Sequence, residues 1–298
     1  GSPLHNYATE PVMPPGSSFK IVTALAALDL GVLKPGESIH SEGQMAIIRG
    51  KRLLRDHAPR GDYDLVKAIQ ISSNVYFAKV AERIKAERLA EYCDLFRLGG
   101  DNTWDVFDMK ARRMPPIPRP STIKRLRPKE PWWVPNDTWR LGIGQFSSNS
   151  PMQVVTIAAA VANGGHIITP YLVRPSGGPP AVKDLDIPAA YLAQMRTGME
   201  NVTSQGGTAR LLVLEGTAAG IKVAAKTGTS EWGSSASREA GRTPDNAWLI
   251  GYAPADKPTV AFAIFIHSGT FGGLACTPVV KRILELYFTK YGRSGHVK

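Results

Sequence analysis

Cysteine is nearly absent from this chain. The two cysteines among 298 residues, Cys93 and Cys276, stand alone and far apart, which excludes a thiolate metal framework and a dense disulfide scaffold. The six histidines form no H-x-x-x-H pair, so no metal and no cofactor is expected. No run of 18 apolar residues occurs, and no segment of this stretch is expected to cross a membrane as a helix. There is no internal repeat. Acidic residues are the minority, 25 against 36 basic ones, for a net charge of +11.

Much of that surplus falls in one place. Lys110, Arg112, Arg113, Arg119, Lys124, Arg125, Arg127 and Lys129 sit among prolines. The run has no aromatic interleaving and no recognisable binding module, so nucleic acid is not expected as a partner. A solvated loop is the first reading, and contact with anionic lipid headgroups or an anionic polymer the second. What remains is ordinary globular composition, 43% hydrophobic and 20% charged, with ample material for a core in one large domain or two lobes. Gly1-Ser2 reads as a tag remnant and is left out of the fold argument.

Residues 3–13 are polar and short of pattern, and Pro14-Pro15-Gly16 ends them. A helix is expected from about Ser17 to Leu30, with Ile21, Leu25 and Leu28 on one apolar face and Gly31 placed to stop it. Loops and a small hairpin should follow from Val32 to Arg60. Leu65–Ile71 reads as a short helix, and a second helix should run from after Ser72-Ser73-Asn74 to about Leu98. Residues 101–140 are proline-rich and irregular. Helices are expected over Pro151–Asn163, Ile187–Thr203, Thr208–Leu214 and Thr277–Phe288. Between the last two, IKVAAKTGT, NAWLIGYAP and PTVAFAIFIHSG read as three consecutive antiparallel strands. Strands late in the chain and helices before them indicate an α+β protein, with a sheet layer beside an all-helical lobe.

Ser17 and Lys20 are three residues apart at the start of the first helix, so both side chains project from one face. A hydroxyl at a helix N-terminus beside an amine has the makings of an activated nucleophile, because the helix dipole favours negative charge there. One S-x-x-K arises by chance in a chain this long, so the pattern needs company. Ser72-Ser73-Asn74 supplies an S-x-N at a loop-to-helix junction, and Lys226-Thr227-Gly228 a K-T-G near the end of a strand. On that strand Lys226 and Gly228 share a face and Thr227 points the other way. The glycine lets a ligand backbone lie close.

In this order the three motifs resemble those of serine β-lactamases and penicillin-binding proteins. PPGSSFKIVTALAALDLG, WVPNDTWRLGIGQ with SPMQ, GGTARLLV, AAKTGTSEW and NAWLIGYAP are similar to segments of class B penicillin-binding proteins, above all the elongation-type enzymes akin to penicillin-binding protein 2. The likeness runs over most of residues 4–288. It implies the penicillin-binding/serine β-lactamase-like transpeptidase fold, with a helical lobe at about 32–204 and a sheet lobe at about 3–31 and 205–298. Relatives carry two strands and a helix before the nucleophile. Only some fourteen residues, 3–16, precede Ser17 here, so either those strands are missing, which would leave a three-stranded sheet with an open edge, or the sheet is completed differently.

The resemblance also implies roles. Ser17 would attack the carbonyl of a D-alanyl-D-alanine stem peptide and become an acyl-enzyme. Lys20 would take its proton, which requires an amine partly neutral at pH 7 through desolvation or a neighbouring positive charge such as Lys226. Ser72 would relay a proton to the leaving amine, and Asn74 would hydrogen-bond the substrate amide. Thr227 and Thr229 would help bind the terminal carboxylate beside Lys226, with Gly228 between them. Backbone N–H groups of Ser17 and Thr229 would form the oxyanion hole. β-Lactams would acylate the same serine. The implied setting is cell elongation and shape, on the extracytoplasmic (periplasmic) face of the cytoplasmic membrane, with an anchor lying outside this chain. Partners there would be a membrane glycosyltransferase and elongation-complex proteins.

The alternatives are a non-catalytic scaffold or penicillin sensor, and a serine β-lactamase. The latter needs a base for its deacylating water, and no acidic motif supplies one. Two decoys, Ser121–Lys124 and Ser147–Asn149, repeat S-x-x-K and S-x-N in contexts that point to structural roles. Two positions depart from the family pattern. Ala225 stands where a glycine often precedes K-T-G, and Asn246 where a histidine is common; no catalytic role is assigned to Asn246.

Overall fold

The computed structural model describes residues 6–10, 13–46, 53–56, 58–99, 116–171, 184–230 and 245–295. Lys110, Arg112 and Arg113 of the basic run lie outside them, as do Glu231 and Trp232 after the K-T-G strand.

The chain leaves Pro15 in a 3-10 turn, Gly16–Phe19, which runs straight into helix α1, Lys20–Asp29. The first helix therefore starts more tightly wound than its sequence pattern indicates, with Ser17 in the 3-10 turn and Lys20 as the first α-helical residue. Every residue from Lys20 to Leu28 is buried. A helix that is apolar nearly all round is enclosed all round, so Ile21, Leu25 and Leu28 mark one side of a helix that has no wet side. Gly31, at φ +65°, ends it. The N–H of Val32 bonds to Ala27 O (3.0 Å) and that of Gly31 to Leu28 O (3.1 Å), the paired bonds of a Schellman stop.

Two nested two-stranded ribbons follow, where one small hairpin was expected. β1 (Ile39–Ser41) pairs with β4 (Gly61–Tyr63), and β2 (Gln44–Ala46) with β3 (Leu53–Arg55), all antiparallel. Three-residue strands span little more than one alternation and leave almost no periodic signal. Helix α2 (Leu65–Ile71) lies where the sequence puts it, capped by Asp64, whose carboxylate accepts from the N–H of Lys67 at 2.7 Å.

The next helix is two helices. α3 (Asn74–Ile84) stops at Lys85, which has φ +72°, and α4 (Ala86–Leu95) starts anew. Continuing the stripe of Phe77, Ala81 and Ile84 at helical spacing would have buried Arg88. The break re-phases the helix so that Leu89, Ala90 and Cys93 go inside instead and Arg88 stays out. Among the described residues of the proline-rich stretch, a short helix α5 (Ile123–Leu126) precedes α6 (Pro135–Gly142). α7 (Pro151–Ala162) carries a reciprocal cap between Ser150 and Gln153, and α8 (Ala189–Val202) follows. Thr208–Leu214, expected as a short helix, is a series of turns. Gly207 explains part of this: a Cβ there would sit 2.2 Å from Val202 O, so the chain folds back on the end of α8.

β5 (Ala224–Ser230), β6 (Asn246–Ala253) and β7 (Val260–Ile266) form one antiparallel sheet in sequence order. Every residue of the middle strand is buried. Helix α9 (Gly272–Tyr291) packs on all three strands, while α7 lies on β6 and β7, and α8 on β5. α1 is surrounded by α2, α3, α4 and α7, and the 3-10 turn before it packs on β5 and β6. That turn is the seam between helices and sheet. The result is an α+β fold with helices on an antiparallel sheet. Cys93 and Cys276 are free and buried, and burial pushes the Cys276 thiol up to about 12.

Candidate active site

The seam brings the three motifs together. Gly16 has φ +54°, and a Cβ on it would lie 2.2 Å from Thr229 O. Gly228 is as crowded from the other side: a Cβ there would meet Pro15 O at 2.5 Å and Ser18 Oγ at 2.9 Å. The strand carrying K-T-G therefore lies directly against the turn carrying Ser17, and only glycine permits it. Gly144 completes the clamp, since its carbonyl accepts the Gly16 N–H at 2.9 Å.

Lys20 and Lys226 are both fully buried and converge on Ser72. Lys226 Nζ donates to Ser72 Oγ at 2.8 Å and to Thr227 O at 3.0 Å. Lys20 Nζ donates to Ser72 O and Asn74 Oδ1, both at 2.7 Å, with a longer contact to Ser72 Oγ at 3.3 Å. Its ammonium also lies 5.7 Å from the centre of the Phe77 ring. Ser72 reaches both amines because it ends α2 in the left-handed conformation, φ 61° and ψ 43°. That conformation is costly for a non-glycine residue and recurs at functional sites.

Burial lowers the Lys20 pKa to about 7, against an opposing pull from the Asp56 carboxylate. Lys226 is lowered too, by burial first and by the positive charge of Lys20 second. Two amines sharing one buried hydroxyl cannot both hold a proton comfortably. Lys20 is thus poised to gain or lose a proton near neutrality.

The structure also separates residues that the motifs list together. Ser17, half-buried, makes no hydrogen bond through its hydroxyl among the described residues; Lys20 bonds to Ser72 and Asn74 instead. Thr227 turns away from Lys226, and its Oγ1 lies 2.7 Å from that of Thr208. Thr229 remains partly exposed beside Gly228, and its carbonyl accepts from Gln145 Nε2 at 2.9 Å.

The decoys are structural. Ser121 donates to Glu87 Oε1 at 2.6 Å on the exposed side of α4, and Lys124 is exposed. Asn149 is buried and bonds to Ser147 Oγ and to the Gly99 N–H, both at 3.1 Å. Asn246 is likewise a tie, its Oδ1 accepting the Ser268 N–H at 3.0 Å. In the basic run Arg119 pairs with Asp94 at 2.7 Å and Arg127 with the buried Asp137, leaving Lys124, Arg125 and Lys129 exposed.

Sequence reasoning missed Asp56, Gln145 and Thr208. Gln145 and Thr208 lie inside the quoted LGIGQ and GGTA segments but carried no role. Asp56 belongs to no motif, and its partners are 15 to 19 residues away in sequence. Only the fold brings it to the site.

Residues 1–285 match the model of the penicillin-binding protein transpeptidase domain. Peptidoglycan D,D-transpeptidase MrdA of Haemophilus influenzae is 29% identical over 97% of this chain and 46% of its own length. The Pseudomonas aeruginosa penicillin-binding protein 2 solved with WCK 5153 superposes with a TM-score of 0.82 at 28% identity, over 99% of this chain and 63% of that one. The Helicobacter pylori protein solved in complex with MreC gives 0.75 at 25% identity, over 96% and 52%. The chain spans about half the length of the curated relatives it matches. From its motifs, its fold and these matches, the chain belongs to the family of penicillin-binding protein transpeptidase domains.

Proposed function

We propose that this chain is the cross-linking domain of a peptidoglycan D,D-transpeptidase, acylated at Ser17 by a D-alanyl-D-alanine stem peptide and, in the same way, by β-lactams. One observation carries the reading: two fully buried amines, Lys226 and Lys20, the latter one turn along the chain from Ser17, converge on the hydroxyl of Ser72.

Neutral Lys20 has two N–H donors and one lone pair. Its two short bonds, to Ser72 O and Asn74 Oδ1, use the donors and free the lone pair from the long contact with Ser72. The Ser17 proton passes to that lone pair as Oγ bonds to the carbonyl carbon of the penultimate D-alanine. The backbone N–H groups of Ser17 and Thr229 meet the negative oxygen that forms, a contribution of roughly 3–4 kcal/mol where one such donor has been removed. As the C–N bond breaks, the proton moves from Lys20 through Ser72 to the departing D-alanine nitrogen. An acceptor amine then attacks the ester, and the Ser17 oxygen recovers its proton as the cross-link forms. Asn74 holds the substrate amide. Gly228 and Thr229 line the place of the terminal carboxylate, with Lys226 adding positive potential, while the Thr227 hydroxyl is held by Thr208.

On this reading the helical lobe at about 32–204 and the sheet lobe formed by 3–31 and 205–298 enclose the cleft. The setting is the extracytoplasmic face of the cytoplasmic membrane, in elongation and shape. A glycosyltransferase and elongation proteins are the partners, as the Helicobacter pylori protein has MreC.

The test supplies a stem peptide ending in D-alanyl-D-alanine together with an acceptor amine. Released D-alanine and a cross-linked product are expected from the folded chain, and neither from Ser17→Ala. A penicillin adduct that hydrolyses rapidly would point to a β-lactamase. A lasting adduct without D-alanine release would point to a sensor.

A further inference from the structure

Asp56 follows β3 and belongs to none of the three motifs, yet its carboxylate is the most heavily used acceptor at the site. Its Oδ1 accepts the Asn74 N–H at 2.8 Å, and Oδ2 accepts the Ser41 hydroxyl at 3.2 Å, the Val75 N–H at 3.3 Å and the Ser73 hydroxyl. It thus sits at the N-terminus of α3, where the helix dipole favours an anion. The same turn holds Asn74 from its other end: Arg55 O takes Asn74 Nδ2 at 2.8 Å. With one N–H of its amide held there, Asn74 turns Oδ1 to Lys20, the bond observed, and keeps its second N–H for the substrate. The Asp56 N–H is fixed in turn on Gly43 O at 2.8 Å, which ties the arrangement to the β2–β3 ribbon.

We propose that Asp56 is a positioning residue for acyl transfer, holding the S-x-N turn in register with Lys20 and placing a fixed negative charge beside that amine. The inference rests on the function proposed above. Both oxygens of Asp56 are already taken by four donors, so its part is played through Asn74 and Lys20. The charged and titratable groups facing Lys20 are Asp56 from the turn after β3 and Lys226 from β5, and Tyr63 from β4 lies in the field of Asp56. Lys226 opposes protonation of Lys20, and Asp56 favours it.

The experiment measures the rate of acylation by a fluorescent penicillin from pH 5.5 to pH 9 in the wild type, Asp56→Asn, Asp56→Glu and Ser73→Ala. In Asp56→Asn the midpoint of the rising limb should move down by about half to one pH unit, and the plateau should fall roughly tenfold to a hundredfold as the S-x-N turn loosens. Asp56→Glu and Ser73→Ala keep the charge and should slow the plateau without moving the midpoint. An unmoved midpoint in Asp56→Asn would overturn the proposal. Should that variant fail to fold, a moved midpoint in Ser73→Ala or Asp56→Glu would do so. Titrating the Lys20 amine by NMR in labelled protein gives the same comparison without acylation. A wild type that is never acylated, with a Lys20 titration that still follows Asp56, would reject the enzymatic reading and leave the electrostatic one standing.

Discussion

In the proposed mechanism the chemistry turns on Lys20, and the environment of that side chain makes two predictions about pH. Acylation of the wild type should rise with pH through a midpoint near the Lys20 value of about 7, because only the neutral amine can take the Ser17 proton. Lys20→Met should lose roughly a hundredfold to ten-thousandfold in acylation rate across the range. Stability should move in the same direction. The folded amine gives up its proton near 7 and the unfolded one near 10.5, so between those values the unfolded chain binds more protons and stability rises with pH. Below the lower value the folded state bears the full cost of a buried charge, and above the upper one neither state does. Lys226 is lowered as well and adds the same sign. Denaturant unfolding at pH 7 and pH 9 should show a gain in the wild type that shrinks in Lys20→Met. Gly16 makes a different prediction: Gly16→Ala sets a Cβ against Thr229 O in a left-handed backbone. It should cost about 1–3 kcal/mol of stability and slow acylation, read from melting temperature and penicillin labelling together.

Among the elements, α1 and the sheet were the easiest to read. KIVTALAALD is too apolar for a surface helix, and the three late strands are long enough for their β-rich character to register. What escaped the sequence were breaks with no glycine or proline to announce them. Lys85 takes φ 72° and ψ 147° between α3 and α4, a region that costs a non-glycine residue about 1–3 kcal/mol. Lys85→Gly should therefore stabilise the protein by about 1 kcal/mol, seen as a higher denaturant midpoint with unchanged slope. The opposite result, a loss, would mean that the two helices do not need this bend. In the core, Leu25→Ala on α1 should cost roughly 2–5 kcal/mol by the same measurement, since α2, α3, α4 and α7 close around that helix and leave little room to collapse.

Taken as a whole, the fold turns three short motifs scattered over more than 200 residues into one site, with a 3-10 turn wedged between helices and sheet. Ser17, Lys20, Ser72, Asn74 and Lys226 could be nominated from the sequence because their motifs have fixed internal spacing. Asp56 could not, because a carboxylate capping a distant helix leaves no mark in its own neighbourhood. Gln145 and Thr208 likewise bond to Thr229 and Thr227, and nothing in the order of residues ties them together. The clamp of Gly16, Gly144 and Gly228 is a matter of backbone approach, which only the assembled structure displays. The central claim is that Ser17, served by the buried Lys20, is the nucleophile. The most direct test is to acylate the folded chain with penicillin, digest it and locate the adduct by tandem mass spectrometry. The adduct should fall on Ser17, persist in Ser121→Ala and disappear in Ser17→Ala; an adduct on any other residue, or none from folded protein, would contradict the account.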